Sequence, residues 1–336
     1  MLGRPPKSRR RSSRRTRHRH APCHHGQVAE AYWQAVLTGG LEVPPDRPLD
    51  DLTAELVTML GDPSPRRRDD LAYPVLATWI SNGVYDGLLV GLGDGITVGL
   101  RHGIGADGDA TVLRRSFSAL VLAEAIGRDN EVRLLDDDVV LRWGDRATSW
   151  LLRERDLRGW IPQHGWAHAV AHGADLLGQL ARSRHLGALE LTVLLDVVAD
   201  RLLQPTPYVW HHGEDDRLAY AVMSILYRDI VSFGVLEPWV ARLGAGISQA
   251  AAQYEGTAEW PTPSAANTTS FLRALHVQLA LGVRGRPGVA TDEHLFAEPP
   301  SGRANLMLAV LDQLRAASPW LFSASSARAT VAAALH

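Results

Sequence analysis

Residues 165–203 read GWAHAVAHGADLLGQLARSRHLGALELTVLLDVVADRLL, and their apolar side chains return every three or four positions, at Leu176, Leu177 and Leu180 and again at Leu186, Leu189, Val193 and Val197. That spacing places side chains on one face of a 3.6-residue helix. The same rhythm extends in both directions and predicts helices over about 27–38, 50–60, 69–81, 84–101, 110–128, 136–153, 165–183, 186–203, 214–231, 235–254, 267–282, 302–316 and 324–335. Stops come from Pro44-Pro45, Pro63, Pro65, Pro205, Pro207, Pro261, Pro263 and Pro299-Pro300, which cannot continue a helix. No alternating strand with a hairpin turn is evident. The expected class is all-α, with antiparallel helix pairs stacked as an irregular HEAT-like or armadillo-like α-solenoid, or alternatively closed as an α/α toroid. Residues 27–336 are expected to form one helical domain, since 46% apolar content suffices for a large core.

Glycine recurs every fourth residue at 83, 87, 91, 95, 99 and 103. No GxxxxGK[ST] loop accompanies it, and Asp86 and Asp94 break the apolar character that a membrane stripe needs. The expectation is a helix with a glycine ridge that a neighbour approaches closely, with unwinding around Gly91–Gly95 as the alternative.

Charge is distributed unevenly. Residues 1–25 hold nine Lys or Arg, four His and no acid, and residues 1–26 are expected to form a disordered basic tail without a specific role. The remainder has 26 Lys+Arg against 37 Asp+Glu, a formal charge of −11. An acidic body repels polyanions, so nucleic acid is expected to meet only the tail. With no run of about 18 uncharged apolar residues, no membrane association and a cytoplasmic location are expected. Cys23 is the single cysteine, which excludes an intramolecular disulfide and a Cys-built metal centre in the body.

Chemistry concentrates in 154–177, ERDLRGWIPQHGWAHAVAHGADLL. His168, His172 and Asp175 fall at i, i+4 and i+7, on one helical face and opposite the apolar side, so they are expected to line a groove. Two His at that spacing with a carboxylate can hold a divalent metal such as Zn, Mn or Fe. Ala169 stands where a zincin carries Glu. Asp156, Arg158, Glu214 and Asp215 are the candidate catalytic groups or additional ligands. Arg158, Trp160, Trp166 and Arg217 are candidate groove residues, although packing is the commoner fate of Trp160, Trp166 and Trp210. Glu214 and Arg217 could simply pair along a helix. Arg114-Arg115-Ser116 could meet an anion at a helix start, while solvated surface Arg is the usual outcome. Serine catalysis finds no support, with no GxSxG elbow and no base near a Ser in sequence.

The segments RRSFSAL at 114–120, RDLRGWIPQHGWAHAVAHGADLL at 155–177, EDDRLA at 214–219 and NTTSFLRAL at 267–275 together resemble the bacterial family catalogued only as a domain of unknown function, number 2785. The resemblance covers about residues 50–282. It implies a mostly helical protein with no established activity and marks Asp156, Arg158, Gly159, Trp166, His168, His172 and Asp175 as its signature. The expected function is a binding or scaffold protein, taking a protein or small-molecule ligand in a polar groove around His168. The alternative is a metal-dependent hydrolase using His168, His172 and Asp175.

Overall fold

Leu176, Leu177 and Leu180 are buried as their spacing requires, and so are Leu186 and Val197, but Leu189 and Val193 are 80% and 55% exposed. The core side of that second helix is instead Leu191, Leu194, Leu195, Val198 and Leu202. So many of positions 188–203 are apolar that more than one face satisfies a three-and-four spacing, and tertiary contacts choose between them.

The computed structural model describes residues 24–253, 260–318 and 321–322. Most of the expected basic tail, Cys23 and the helix expected at 324–335 lie outside the described residues. The helices, in chain order, are α1 His24–Thr38, α2 Leu49–Met59, α3 Pro65–Arg67, α4 Tyr73–Ser81, α5 Leu89–Gly99, α6 Thr111–Val132, α7 Asp137–Arg153, α8 Ala169–Arg182, α9 Ala188–Leu203, α10 Glu214–Leu226, α11 Phe233–Ala252, α12 Pro263–Leu281, α13 Ala290–Leu295 and α14 Arg303–Ala317. Between α3 and α4 the chain widens into a π turn over Arg68–Ala72, just ahead of Pro74, whose missing N–H and bulky ring disfavour a regular α turn there.

The α6, α8 and α10 helices lie side by side and point the same way. Near their starts Ser116 meets His172 and Asp175 meets Arg217; towards their ends Asn130 donates to the Gln179 carbonyl at 2.9 Å and Arg182 reaches Ser224. The row continues into α4 on one flank and α12 on the other, and α7, α9 and α11 form the layer behind it. The class is therefore all-α with consecutive helix pairs stacked in a solenoid-like array. One departure is a small hairpin, β1 Trp160–Ile161 paired antiparallel with β2 Gly165–Trp166, too short to show any alternation in sequence. No single helix among the described residues is long and apolar enough to cross a membrane.

The glycine-rich stretch opens with a 3₁₀ turn at Asp86–Leu88 and then runs as an uninterrupted helix through Gly91–Gly95. Within this helix close approach occurs at Gly93 and Gly99. A Cβ on Gly93 would lie 2.1 Å from the Trp143 ring, and one on Gly99 would meet the Ser118 hydroxyl. Gly91 and Gly95 face open space. Gly93→Ala is expected to destabilise the fold by about 1–3 kcal/mol through overpacking, whereas Gly91→Ala and Gly95→Ala stabilise it by up to about 1 kcal/mol through helix propensity. Urea unfolding of the three variants checks this ordering.

Candidate ligand site at the edge of the helical row

The α6, α8 and α10 helices begin at one edge of the row, and the loop 154–168 crosses that edge. It is anchored by an ion pair with no solvent exposure. Arg115 on α6 donates to both oxygens of Glu154, at 2.6 and 2.8 Å, and its remaining N–H groups reach the His102 and Gly103 carbonyls and the Thr111 hydroxyl. Glu154 also accepts from the Trp150 indole and from the backbone N–H of Arg155 and Asp156. Arg201 adds a hydrogen bond to the Glu154 carbonyl, and burial pushes its guanidinium down to about 10. Arg115 thus meets no anion from outside, and Ser116 is buried beside it. The expectation of a solvated or anion-contacting helix start is corrected here for Arg115 and Ser116.

Two residues further on, the fully buried Asp156 takes Arg158 in a forked pair at 2.8 and 2.5 Å and accepts from the Gly108 N–H. Both groups are committed to shaping the loop. Arg158 pairs with neither Glu214 nor Asp215. The hairpin that follows turns through left-handed Gln163 and Gly165, and the buried Arg68 clamps it from the π turn by donating to the His164 and Trp166 carbonyls. Its strand register sets Trp160 against Trp166, edge to face at 4.8 Å between ring centres. These two indoles are 49% and 36% exposed, whereas Trp210 is buried, with Asn267 of α12 accepting from its backbone N–H.

His168 does not lie inside a helix. It precedes α8 in a left-handed conformation, φ 50° and ψ 35°, so the expected i, i+4, i+7 ladder begins one residue too late. Its ring stacks on Trp166 at 4.4 Å. Burial, then the charge of Arg217, brings its pKa down to about 4. Its Nε2 is buried without a hydrogen-bond partner and faces the buried Glu214 carboxylate at 3.7 Å.

His172, four residues on, faces inward because α8 is enclosed by α6, α10 and α7. The polar stripe therefore does not turn away from the core as expected. Burial holds His172 well below the usual imidazole range. Its Nδ1 lies 2.6 Å from the Ser116 hydroxyl, which itself contacts the Ala167 carbonyl. A hydroxyl has one proton, and a carbonyl can only accept, so we assign Nδ1–H as donor to Ser116. A serine with its proton committed to a carbonyl and no solvent access is a positioning group rather than a nucleophile.

Asp175 is held by the Arg217 guanidinium, with Nε at 2.9 Å and Nη2 on the second oxygen. Arg217 thus reaches across to α8 instead of pairing with Glu214 on its own helix. Burial lowers it to about 10. Glu214 accepts from the His212 N–H at 2.7 Å, and its other oxygen stands 3.8 Å from His212 Nδ1. Gly159 makes this possible, because a Cβ there would fall 2.3 Å from His212 Nδ1 and 2.7 Å from Glu214. Asp215 is not among the groups that meet here.

His168, His172 and Asp175 do not converge on one point, and among the described residues no group of three or more His, Cys, Asp or Glu is placed to hold a metal ion. The left-handed turn at His168 separates the two imidazoles, whose centres are 5.8 Å apart and nearly perpendicular, and Arg217 occupies Asp175. The larger cavities described lie elsewhere, one of about 690 Å³ beside Leu203 and Thr268 and another of about 680 Å³ beside Tyr220 and Phe296. The polar group lies buried at the row's edge, behind the partly exposed Trp160–Trp166 hairpin.

All four motif segments meet in this structure: Arg115 and Ser116, the 155–177 loop and helix, Glu214 and Arg217, and Asn267 bracing the approach to α10 through the Tyr208 carbonyl and the Trp210 N–H. Residues 100–277, just over half of the chain, match the model of a family described as protein of unknown function, DUF2785. The chain belongs to that family. Its matched span is narrower than 50–282 but contains every one of those motifs. No curated protein and no solved structure matches the chain.

Arg115→Met is expected to cost about 3–5 kcal/mol by leaving the Glu154 charge buried and unpaired, and Arg115→Met/Glu154→Leu to cost clearly less; urea midpoints of the two variants decide. A pH series tests His168. Its folded pKa is depressed, so the unfolded chain binds more protons between pH 6.5 and about 4, and stability is lost as pH falls through that window. Replacing it by Gln should flatten the wild-type slope there by up to about 1.4 kcal/mol per pH unit.

Proposed function

We propose that this chain is a ligand-binding protein, and that its site is formed by Trp160, Trp166, His168, Glu214 and His212, backed by the Asp175–Arg217 pair. One observation carries the reading: His168 keeps a buried Nε2 without a partner, opposite a buried carboxylate, while held in a left-handed backbone. Buried polar atoms are paired in about nine cases in ten, and a left-handed non-glycine residue costs of order 1 kcal/mol. A fold that retains both at one residue supports a group that is completed by something from outside. The exposed indole pair beside it offers a ligand apolar faces. The hydrolytic reading has less to stand on, because Asp156 and Asp175 are each occupied by an arginine and Ser116 has its proton engaged.

The test is a thermal-shift screen of small polar and aromatic metabolites on the full chain. Binding at 100 times Kd stabilises by about 2.7 kcal/mol, enough to move the melting temperature by several degrees. At least one compound should raise the wild-type melting temperature and lose that effect in both Trp160→Ala and Glu214→Gln. A screen with no hit, or hits indifferent to both substitutions, overturns the proposal.

A further inference from the structure

Resting on that ligand-site reading, we propose that the group completing the site is a primary alkylammonium, with Glu214 as its counter-charge and the Trp160–Trp166 pair as its aromatic wall. Glu214 is 1% exposed, yet among the described residues its only close hydrogen bond is from the His212 backbone N–H. The two imidazole nitrogens facing its other oxygen, at 3.7 and 3.8 Å, are beyond hydrogen-bond reach. The cations that sequence offers it are engaged elsewhere, Arg217 on Asp175 and Arg158 on Asp156. Asp175 is paired with Arg217 and Asp156 with Arg158, whereas no guanidinium or ammonium of the described residues is in contact with Glu214. A buried charge without a counter-charge is costly unless a ligand supplies one.

The hydrogen-bonding sense agrees. In the Nδ1–H tautomer of His168, Nε2, which has no hydrogen-bond partner among the described residues, is a bare acceptor. Two acceptors 3.7 Å apart are bridged by a group with at least two donors. A primary ammonium has three and brings the missing charge, while a carboxylate, phosphate or ether has none. The exposed indoles present π faces with negative potential, which attract a cation and its alkyl stem. The formal −11 of the chain beyond residue 25 favours the approach of a cation.

Either a free small amine or the lysine side chain of a partner protein carries this chemistry. Isothermal titration calorimetry of the full chain with n-butylammonium, tetramethylammonium, n-butanol, butyrate and the blocked peptide acetyl-Gly-Lys-Gly-amide tests it. n-Butylammonium should bind, weaken at least tenfold in Glu214→Gln and in Trp160→Ala, and be unchanged in Asp215→Asn. Tetramethylammonium, which has no N–H, should bind at least tenfold more weakly, and butanol and butyrate should not bind. A peptide at least tenfold tighter than n-butylammonium points to a lysine of a protein partner, and the reverse order to a free amine. If butanol or butyrate binds as well as n-butylammonium and Trp160→Ala abolishes it, the ammonium assignment falls while the ligand site stands. If no probe binds and the screen's hits ignore Trp160→Ala, both fall. Should Glu214→Gln fail to fold, the Trp160→Ala titration carries the comparison.

Discussion

Everything at the site's edge hangs from the buried pair of Arg115 and Glu154. Arg115 belongs to α6 and Glu154 to the end of α7, so the pair joins the front row to the layer behind it. Both groups are heavily used: Arg115 gives Nε and Nη2 to Glu154 and shares Nη1 among two carbonyls and a hydroxyl, and Glu154 accepts in addition from an indole and two backbone amides. A buried ion pair contributes little net stability compared with an apolar replacement, because desolvation offsets attraction. Its effect is geometric. It fixes where the chain leaves α7 and in which direction, and the fork between Asp156 and Arg158, the hairpin and His168 inherit that direction.

Within this frame the polar residues divide into those that position and those left with unused capacity. Ser116 orients His172, Arg217 holds Asp175, Arg68 holds the hairpin carbonyls, and Asn267 holds the segment leading into α10. Each of these has its partners inside the protein. His168 Nε2 has no partner among the described residues, and one Glu214 oxygen has only imidazole nitrogens at 3.7 and 3.8 Å, although both residues are buried. Trp166 and His212 enclose them on the solvent side, with Trp166 stacked on His168 and His212 perpendicular to Trp166 at 5.4 Å.

Much of the architecture was legible in the sequence because helices of 11–22 residues repeat their pattern often enough to be seen, and Pro and Gly punctuate them. The wrong face of α9 was chosen because a nearly continuous apolar run has no unique stripe. The hairpin and the six-residue α13 are shorter than any period that could reveal them. At α8 the pattern runs on through His168, but the backbone does not, and no side-chain cap marks the change. The density of polar residues in 154–177 marked one part of the polar cluster, while its partners were invisible: Ser116 lies 56 residues from His172 and Arg115 lies 39 from Glu154. A fully buried arginine also runs against the usual preference of Arg for the surface, so nothing local distinguished Arg115 from Arg114.

The shared direction of α6, α8 and α10 gives this edge its electrostatic character. Each helix brings the positive end of its dipole and several unpaired N–H groups to the same edge, which stabilises carboxylates there. Three buried carboxylates accordingly gather at it, Glu154, Asp156 and Glu214. Two of them are neutralised by a forked guanidinium, from Arg115 and Arg158. Glu214 sits at the first position of α10, where dipole and backbone amides act on it most strongly, and the arginine one turn later has been drawn to Asp175. Partial helix charge can tolerate an anion without balancing it, since it amounts to about half a unit charge and fades within a turn. Glu214 is thus the one of these three carboxylates without a guanidinium of its own; one of its oxygens stands between two imidazoles and behind two exposed indoles, the place proposed above for an alkylammonium.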